Sequence, residues 1–261
     1  MPQRVIGEPL TGGYGETLTC ALSNSTITVF NFRLGFREIL FEPLNATAGA
    51  VGIRFNVNPK IKAMFTVAGS TYTNLIESGK LIDRGNSSTV AINSFASTSA
   101  LYIVTSDVIG GLWVDVTNTN STSSDMTITY SNALTTITGA LSITDGTASG
   151  GATLAQDGRI TWTAPTDQVE TTGDALGLTV TQRGYWYKIV VSATLDSTVS
   201  LAQVATMNKA TTTTLGIFLK KAVEYNIELN DSQDGGFEII GQDTQGTYTL
   251  NASFIKRSTG V

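Results

Sequence analysis

Apolar and polar side chains alternate with a period of two along much of this chain, and that period constrains its fold more than any other feature. Ile27 and Val29 alternate with Thr26 and Thr28, and Val51, Ile53, Phe55 and Val57 alternate with Gly52, Arg54 and Asn56. Met126, Ile128 and Tyr130 repeat the pattern, as do Tyr225, Ile227 and Leu229, and then Tyr248, Leu250, Ala252 and Phe254. Successive side chains of a strand point to opposite faces, so each segment places one set inward and one outward. One dry face and one wet face is the pattern of antiparallel sheets. Turn-forming clusters separate the segments, at 45–49, 56–59, 118–125, 145–151 and 231–236. No stretch carries a convincing helical period, and even 200–207 and 216–225 read better as strand. The expected fold is all-β, an antiparallel β-sandwich or jelly-roll-like architecture.

Composition agrees with this. The chain has 261 residues, 41% hydrophobic and only 14% charged, with 41 threonines. Thr is β-branched and suits a pleated, half-exposed surface. A chain of this length and apolar content has enough material for a sizeable core. Net charge is −5 and the basic residues are scattered, so no nucleic-acid partner is expected. No apolar run is long enough to span a membrane, and Met1-Pro2-Gln3-Arg4 does not open a signal peptide. The single cysteine, Cys20, excludes an intrachain disulfide and is expected to pack as a small apolar side chain. The absence of histidine excludes Ser-His-Asp and Cys-His catalysis and His-ligated zinc. No cofactor is expected.

Weak breaks near 94–99 and at 209–214 divide the chain. Residues 1–25, with Gly12-Gly13-Tyr14-Gly15, are expected to be an extended N-terminal arm. Residues 26–98 form an N-terminal β region, 99–206 a central β-sandwich module, and 207–261 C-terminal strands that pair with the N-terminal region.

Four groups of residues qualify as candidate sites. Asp145, Asp157 and Asp167, and separately Asp231 and Asp234, lie in turn regions where loop carboxylates could meet calcium. Asx-turn hydrogen bonding explains them equally, and no metal is assigned. Glu38 and Glu42 lie near Phe36 and Phe41 without the context that paired catalytic carboxylates require; no catalytic residue is assigned, and the chain is expected not to be an enzyme. Trp113, Trp162, Tyr185, Trp186 and Tyr187 are candidate interface or ligand-platform aromatics. Flat rings stack on sugars, yet large aromatics on strands are by default core. Alternation sends Trp186 to the face opposite Tyr185 and Tyr187, so one side is expected in the core and the other exposed or at an interface. The sequons, Asn120 among them, follow from abundant Asn, Ser and Thr.

Several ordered pieces within residues 100–205 resemble a module of tailed-bacteriophage virion structural proteins. A strand ending in Tyr130 precedes Asp145-Gly146-Thr147-Ala148-Ser149-Gly150-Gly151, a D-G-T-x-x-G-G turn. Gly158 to Trp162 forms G-x-I-x-W, Pro165-Thr166-Asp167 a turn, and Tyr185-Trp186-Tyr187-Lys188 the closing strand. The aromatic-rich run that often follows the first strand is replaced here by Ser131-Asn132-Ala133-Leu134-Thr135, which weakens a sugar-binding reading of that loop. The resemblance implies an antiparallel sandwich in a virion assembled in the host cytoplasm. A capsid decoration or cement protein on the head shell is the leading expectation. It would contact the major capsid protein or other virion proteins, and copies of itself, with a trimer favoured. A tail, baseplate or fibre component that binds a receptor is the alternative, and a carbohydrate-binding module the third reading.

Overall fold

The computed structural model describes residues 4–10, 13–22, 27–31, 38–46, 53–76, 89–209, 217–219, 225–228, 234–241 and 246–255, with side chains over 56–76 and 89–209. In chain order the strands are β1 (Arg4–Leu10), β2 (Gly13–Leu22), β3 (Ile27–Asn31), β4 (Glu38–Ala46), β5 (Ile53–Pro59), β6 (Ile61–Ala68) and β7 (Thr71–Asn74). They continue as β8 (Val90–Ala91), β9 (Ala100–Thr105), β10 (Ile109–Asn118), β11 (Met126–Ala133), β12 (Thr136–Ala140), β13 (Thr144–Asp145) and β14 (Gly158–Thr161). The last are β15 (Thr171–Thr172), β16 (Arg183–Val191), β17 (Ser200–Asn208), β18 (Ile217–Leu219), β19 (Tyr225–Glu228), β20 (Asp234–Gly241) and β21 (Gly246–Ile255). No helix occurs among the described residues, and the paired strands are antiparallel, so the fold is all-β as the alternation requires.

The chain divides into two compact units, Met1–Asn58 with Ala210–Val261, and Pro59–Lys209. The first contains two sheets in which strands from the two ends of the chain interleave. One runs β1-β2-β21-β4-β19 and the other β18-β5-β20-β3. β2 pairs along its length with β21, from Gly13 opposite Ile255 to Leu22 opposite Gly246. Part of the segment expected as an extended arm is therefore paired into a sheet. Backbone pairing, available to Gly as to any residue, holds it there.

The second unit is a β-sandwich. One sheet runs β13-β14-β10-β17-β8; the other runs β12-β11-β16-β9-β6-β7, with β15 on β16. It starts at Pro59, well before the break expected near 94–99. β6 is the reason: it pairs with β9 from Val67 opposite Ala100 to Ala63 opposite Val104 and, after a register shift, with Ile61 opposite Thr105, making residues 61–68 part of the sandwich. The alternating side chains of β6, β9, β11 and β16 send Met64, Ile103, Ile128 and Ile189 inward, against Leu112, Val114, Ile160 and Val204 of the facing sheet. Each fully buried side chain of this size contributes about 1.5–3 kcal/mol. Between the sheets remains a cavity of about 30 Å³ with a wholly apolar lining that includes Ile103, Leu112 and Ile189.

Candidate functional site

At one end of the sandwich, loops are fastened to each other by their own polar side chains. Asp145 Oδ1 accepts from the Thr147 amide at 2.9 Å and the Thr147 hydroxyl at 2.6 Å, and its Oδ2 accepts from the Thr153 hydroxyl at 2.6 Å. The Thr147 hydroxyl oxygen in turn accepts from the Leu154 amide at 3.0 Å. This closes the D-G-T-x-x-G-G segment on the residues that follow it. Gly150 and Gly151 take φ values of +59° and +81° there, a region open to glycine and costly for side chains. The segment then lies flat on β14: Gly146 donates to the Arg159 carbonyl at 2.8 Å, and a Cβ on Gly158 would stand 2.2 Å from the Gly146 oxygen. The motif's glycines are required by backbone approach and backbone angle.

Two residues with no conspicuous motif act as the hub of the neighbouring loops. Asn120, 2% exposed, donates to the Thr122 carbonyl, the Ser124 hydroxyl and the Thr153 carbonyl. Its Oδ1 accepts from the amides of Thr122 and Asp196. Asp196 accepts from the Ser121 amide at 2.6 Å, the Ser121 hydroxyl at 2.7 Å and the Thr122 hydroxyl. These donors favour the charged carboxylate and hold its pKa down to about 2; the Thr122 hydroxyl contributes most, followed by that of Ser121. The sequon Asn120-Ser121-Thr122 is thus a structural joint between the 119–125 and 192–198 loops.

The other expected carboxylates are engaged in the same way. Asp157 Oδ1 accepts from the Val116 amide at 2.8 Å, and Asp167 Oδ1 from the Tyr130 hydroxyl at 2.7 Å. The Tyr130 phenol pKa is raised, chiefly by that hydrogen bond and next by burial. Each of these bonds uses one of the several lone pairs a carboxylate carries, and no cluster of three or more acidic, His or Cys side chains occurs among the described residues. Cys20, Glu38, Glu42 and Asp234 lie on strands whose side chains are outside the described residues, and Asp231 lies outside them altogether.

The expected aromatics take two different positions. Trp162 and Tyr187 are buried in the core, their rings 5.6 Å apart and tilted at 42°. Both fasten the backbone of Ile109. The Trp162 indole N–H donates to the Ile109 carbonyl at 2.9 Å, and the Ile109 amide donates to the Tyr187 hydroxyl at 3.0 Å. That hydroxyl donates onward to Gln168 Oε1 at 2.7 Å. Burial pushes the Tyr187 phenol pKa far up, so it stays a neutral donor.

Trp186 does point opposite to Tyr185 and Tyr187, as alternation requires, but the face it occupies is not open. It is fully buried in a second cluster with Phe65, Ala100, Tyr102 and Val104. Its indole N–H donates to the Thr171 carbonyl at 3.0 Å. The cover is the 173–180 loop, which closes on itself through bonds from the Leu176 and Leu178 amides to the Gly173 carbonyl and lays Leu176, Leu178 and Val180 against the cluster. Trp162, Trp186 and Tyr187 are therefore buried within the unit itself, and the Trp186 face is covered where an exposed or interface face was expected. Tyr185 is half-buried beside the core. Trp113 is also half-buried, and its indole nitrogen is enclosed without an acceptor among the described residues.

The sequence singled out the Asp145 loop and the aromatic strand, and missed Asn120 as a joint, Asp196 and Gln168. Asn120 was marked only as a sequon within the 118–125 turn cluster. Comparison with protein-family models, with curated proteins and with solved structures yields no match for this chain.

Proposed function

We propose that this chain is a non-enzymatic structural component of a tailed-phage virion, a decoration or cement protein that binds the head shell. One observation carries the reading. The separate pieces of sequence that resemble the phage module are bonded to one another. Tyr130 of the first strand, which runs on to Ala133, reaches Asp167 of the Pro-Thr-Asp turn. Trp162 of the G-x-I-x-W strand packs on Tyr187 of the closing strand. The D-G-T-x-x-G-G turn lies on the Gly158–Thr161 strand. Pieces that depend on each other in space are unlike a chance succession of similar words, so the resemblance has the character of one folding unit.

The chemistry of the loop end agrees. Ser121, Ser123, Ala148, Ser149 and Ser192 are exposed there beside Asp125 and Asp157, so contact of this end with a protein lattice would desolvate few ions. The trimer expected from the resemblance belongs to the same proposal.

The test is addition of purified protein to capsid shells that lack it. Saturable decoration visible by cryo-microscopy, with a rise in the shells' disruption temperature, is the expected result. Binding to tails or baseplates with bare shells would replace the head assignment with the tail one. Absence of binding to any virion part would overturn the proposal.

A further inference from the structure

Among the described residues the sandwich has four terminal strands, and three of them carry protection against pairing with another chain. β8 and β13 span two residues each, and β12 is broken by register shifts against β11. Short and bulged edges resist strand addition. β7 has neither device. It pairs with β6 without a shift, from Ala68 opposite Thr71 to Phe65 opposite Asn74, and no charged residue occurs from Ala63 to Ile76. A two-residue turn, with Gly69 at φ +59° in its first position, leads into it.

The direction of its free groups follows from one bond. The Leu75 amide donates to the Met64 carbonyl, extending the β6–β7 ladder by one pair. Hydrogen-bonded and non-bonded pairs alternate in an antiparallel ladder. Thr71, Thr73 and Leu75 therefore turn their backbone groups toward β6, and Tyr72 and Asn74 turn theirs outward. Thr71, Thr73 and Asn74 are exposed and Tyr72 is half-buried.

An aromatic row ends at the same edge. On the face away from the main core, Tyr102 stacks on Phe65 at 5.4 Å, and Phe65 meets Tyr72 at 5.9 Å. The Tyr72 hydroxyl accepts from the Thr179 amide at 3.3 Å, and among the described residues no strand pairs with the outer edge of β7.

We propose that β7 is a self-association edge whose occupant is β7 of a second copy of this chain, paired antiparallel about a two-fold axis at Tyr72. In that register the outward amide and carbonyl of Tyr72 bond to those of Tyr72 in the second copy, and those of Asn74 meet Ser70. The same register sets Tyr72 beside Tyr72 and Thr71 beside Thr73. Aromatic–aromatic and Thr–Thr pairs are both favourable cross-strand pairs. No charge opposes another, and the aromatic row continues across the axis. Thr71, Tyr72 and Thr73 each meet a favourable mate in this register, which favours a second copy as the occupant. The contact is two-fold and independent of the virion assignment; combined with a three-fold contact it would give a hexamer.

The experiment is sedimentation of the full chain over a wide concentration range, with amide hydrogen exchange at the lowest and highest concentrations. The wild type is expected to pass from the mass of one copy to that of two, or from three to six, as exchange at Tyr72 and Asn74 slows. Thr71→Lys with Thr73→Lys sets like charges across the axis and is expected to remove that doubling. Thr71→Lys with Thr73→Glu sets opposite charges across it and is expected to restore it. Both positions are exposed, so circular dichroism should match wild type. A wild-type mass that never doubles, exchange at Tyr72 and Asn74 that is independent of concentration, or a Lys/Lys variant that doubles as readily as the Lys/Glu variant would each overturn the proposal.

Discussion

Ile109 shows how single residues hold this module together: its carbonyl is bound by Trp162 and its amide by Tyr187, partners 53 and 78 positions away in sequence. Tyr187→Phe would leave the buried Ile109 amide and Gln168 Oε1 without the hydroxyl they share. The expected loss is about 1–3 kcal/mol, the typical cost of stranding buried polar groups, and it would be measured as a lower urea midpoint with an unchanged slope. Asp196 gives a prediction in pH. Its folded pKa of about 2 lies below the ordinary 3.8, so its contribution is fully present above about pH 4 and disappears as pH falls through about 2. Urea midpoints of wild type and Asp196→Asn should differ at neutral pH and converge over that window; a constant difference down to pH 2 would contradict the assignment. Side-chain types were legible at this scale and partners were not. The sequence marked Trp162 and Tyr187 as large rings on strands. Which peptide they fasten depends on a strand brought alongside from far away in the chain.

Among elements, the 173–180 loop does most to change the expected picture. An antiparallel strand with one core face is expected to have one wet face, and Tyr185-Trp186-Tyr187 does split its rings between two faces. The loop then covers the second face. Gly173 is the position on which that cover turns, since a Cβ there would sit 2.0 Å from the Val180 carbonyl and 2.8 Å from the Trp186 ring. Gly173→Ala is expected to lift the loop and destabilise the unit by about 1–3 kcal/mol, the usual range for overpacking. Because Trp186 is fully buried in the native state, a red shift and stronger quenching of tryptophan emission would report its exposure. Unchanged emission and stability would show that the loop is not what encloses the indole. The alternation of Leu176, Leu178 and Val180 is present in the sequence, but nothing local shows which distant face it covers.

The whole molecule consists of two units, and only Pro59–Lys209 is a continuous segment. It carries its own two sheets and its own core. Expressed alone, residues 59–209 are therefore expected to fold, with β-type circular dichroism and one cooperative thermal transition; a non-cooperative melt would mean that this core is insufficient by itself. Fold class was determined by the sequence alone, because a period of two is imposed by strand geometry wherever one face is dry, and Met126, Ile128 and Tyr130 obey it without reference to any distant residue. The residue types, and with them the exclusion of histidine chemistry, were equally local facts. The boundary at Pro59, the burial of Trp186 and the joint at Asn120 were decided only by tertiary structure. Each depends on segments far apart in the chain meeting in one place: β6 on β9, the 173–180 loop on the outer sheet face, and the 119–125 loop on Asp196. Local alternation records which face of a strand is dry, but it carries no information about which distant segment covers that face.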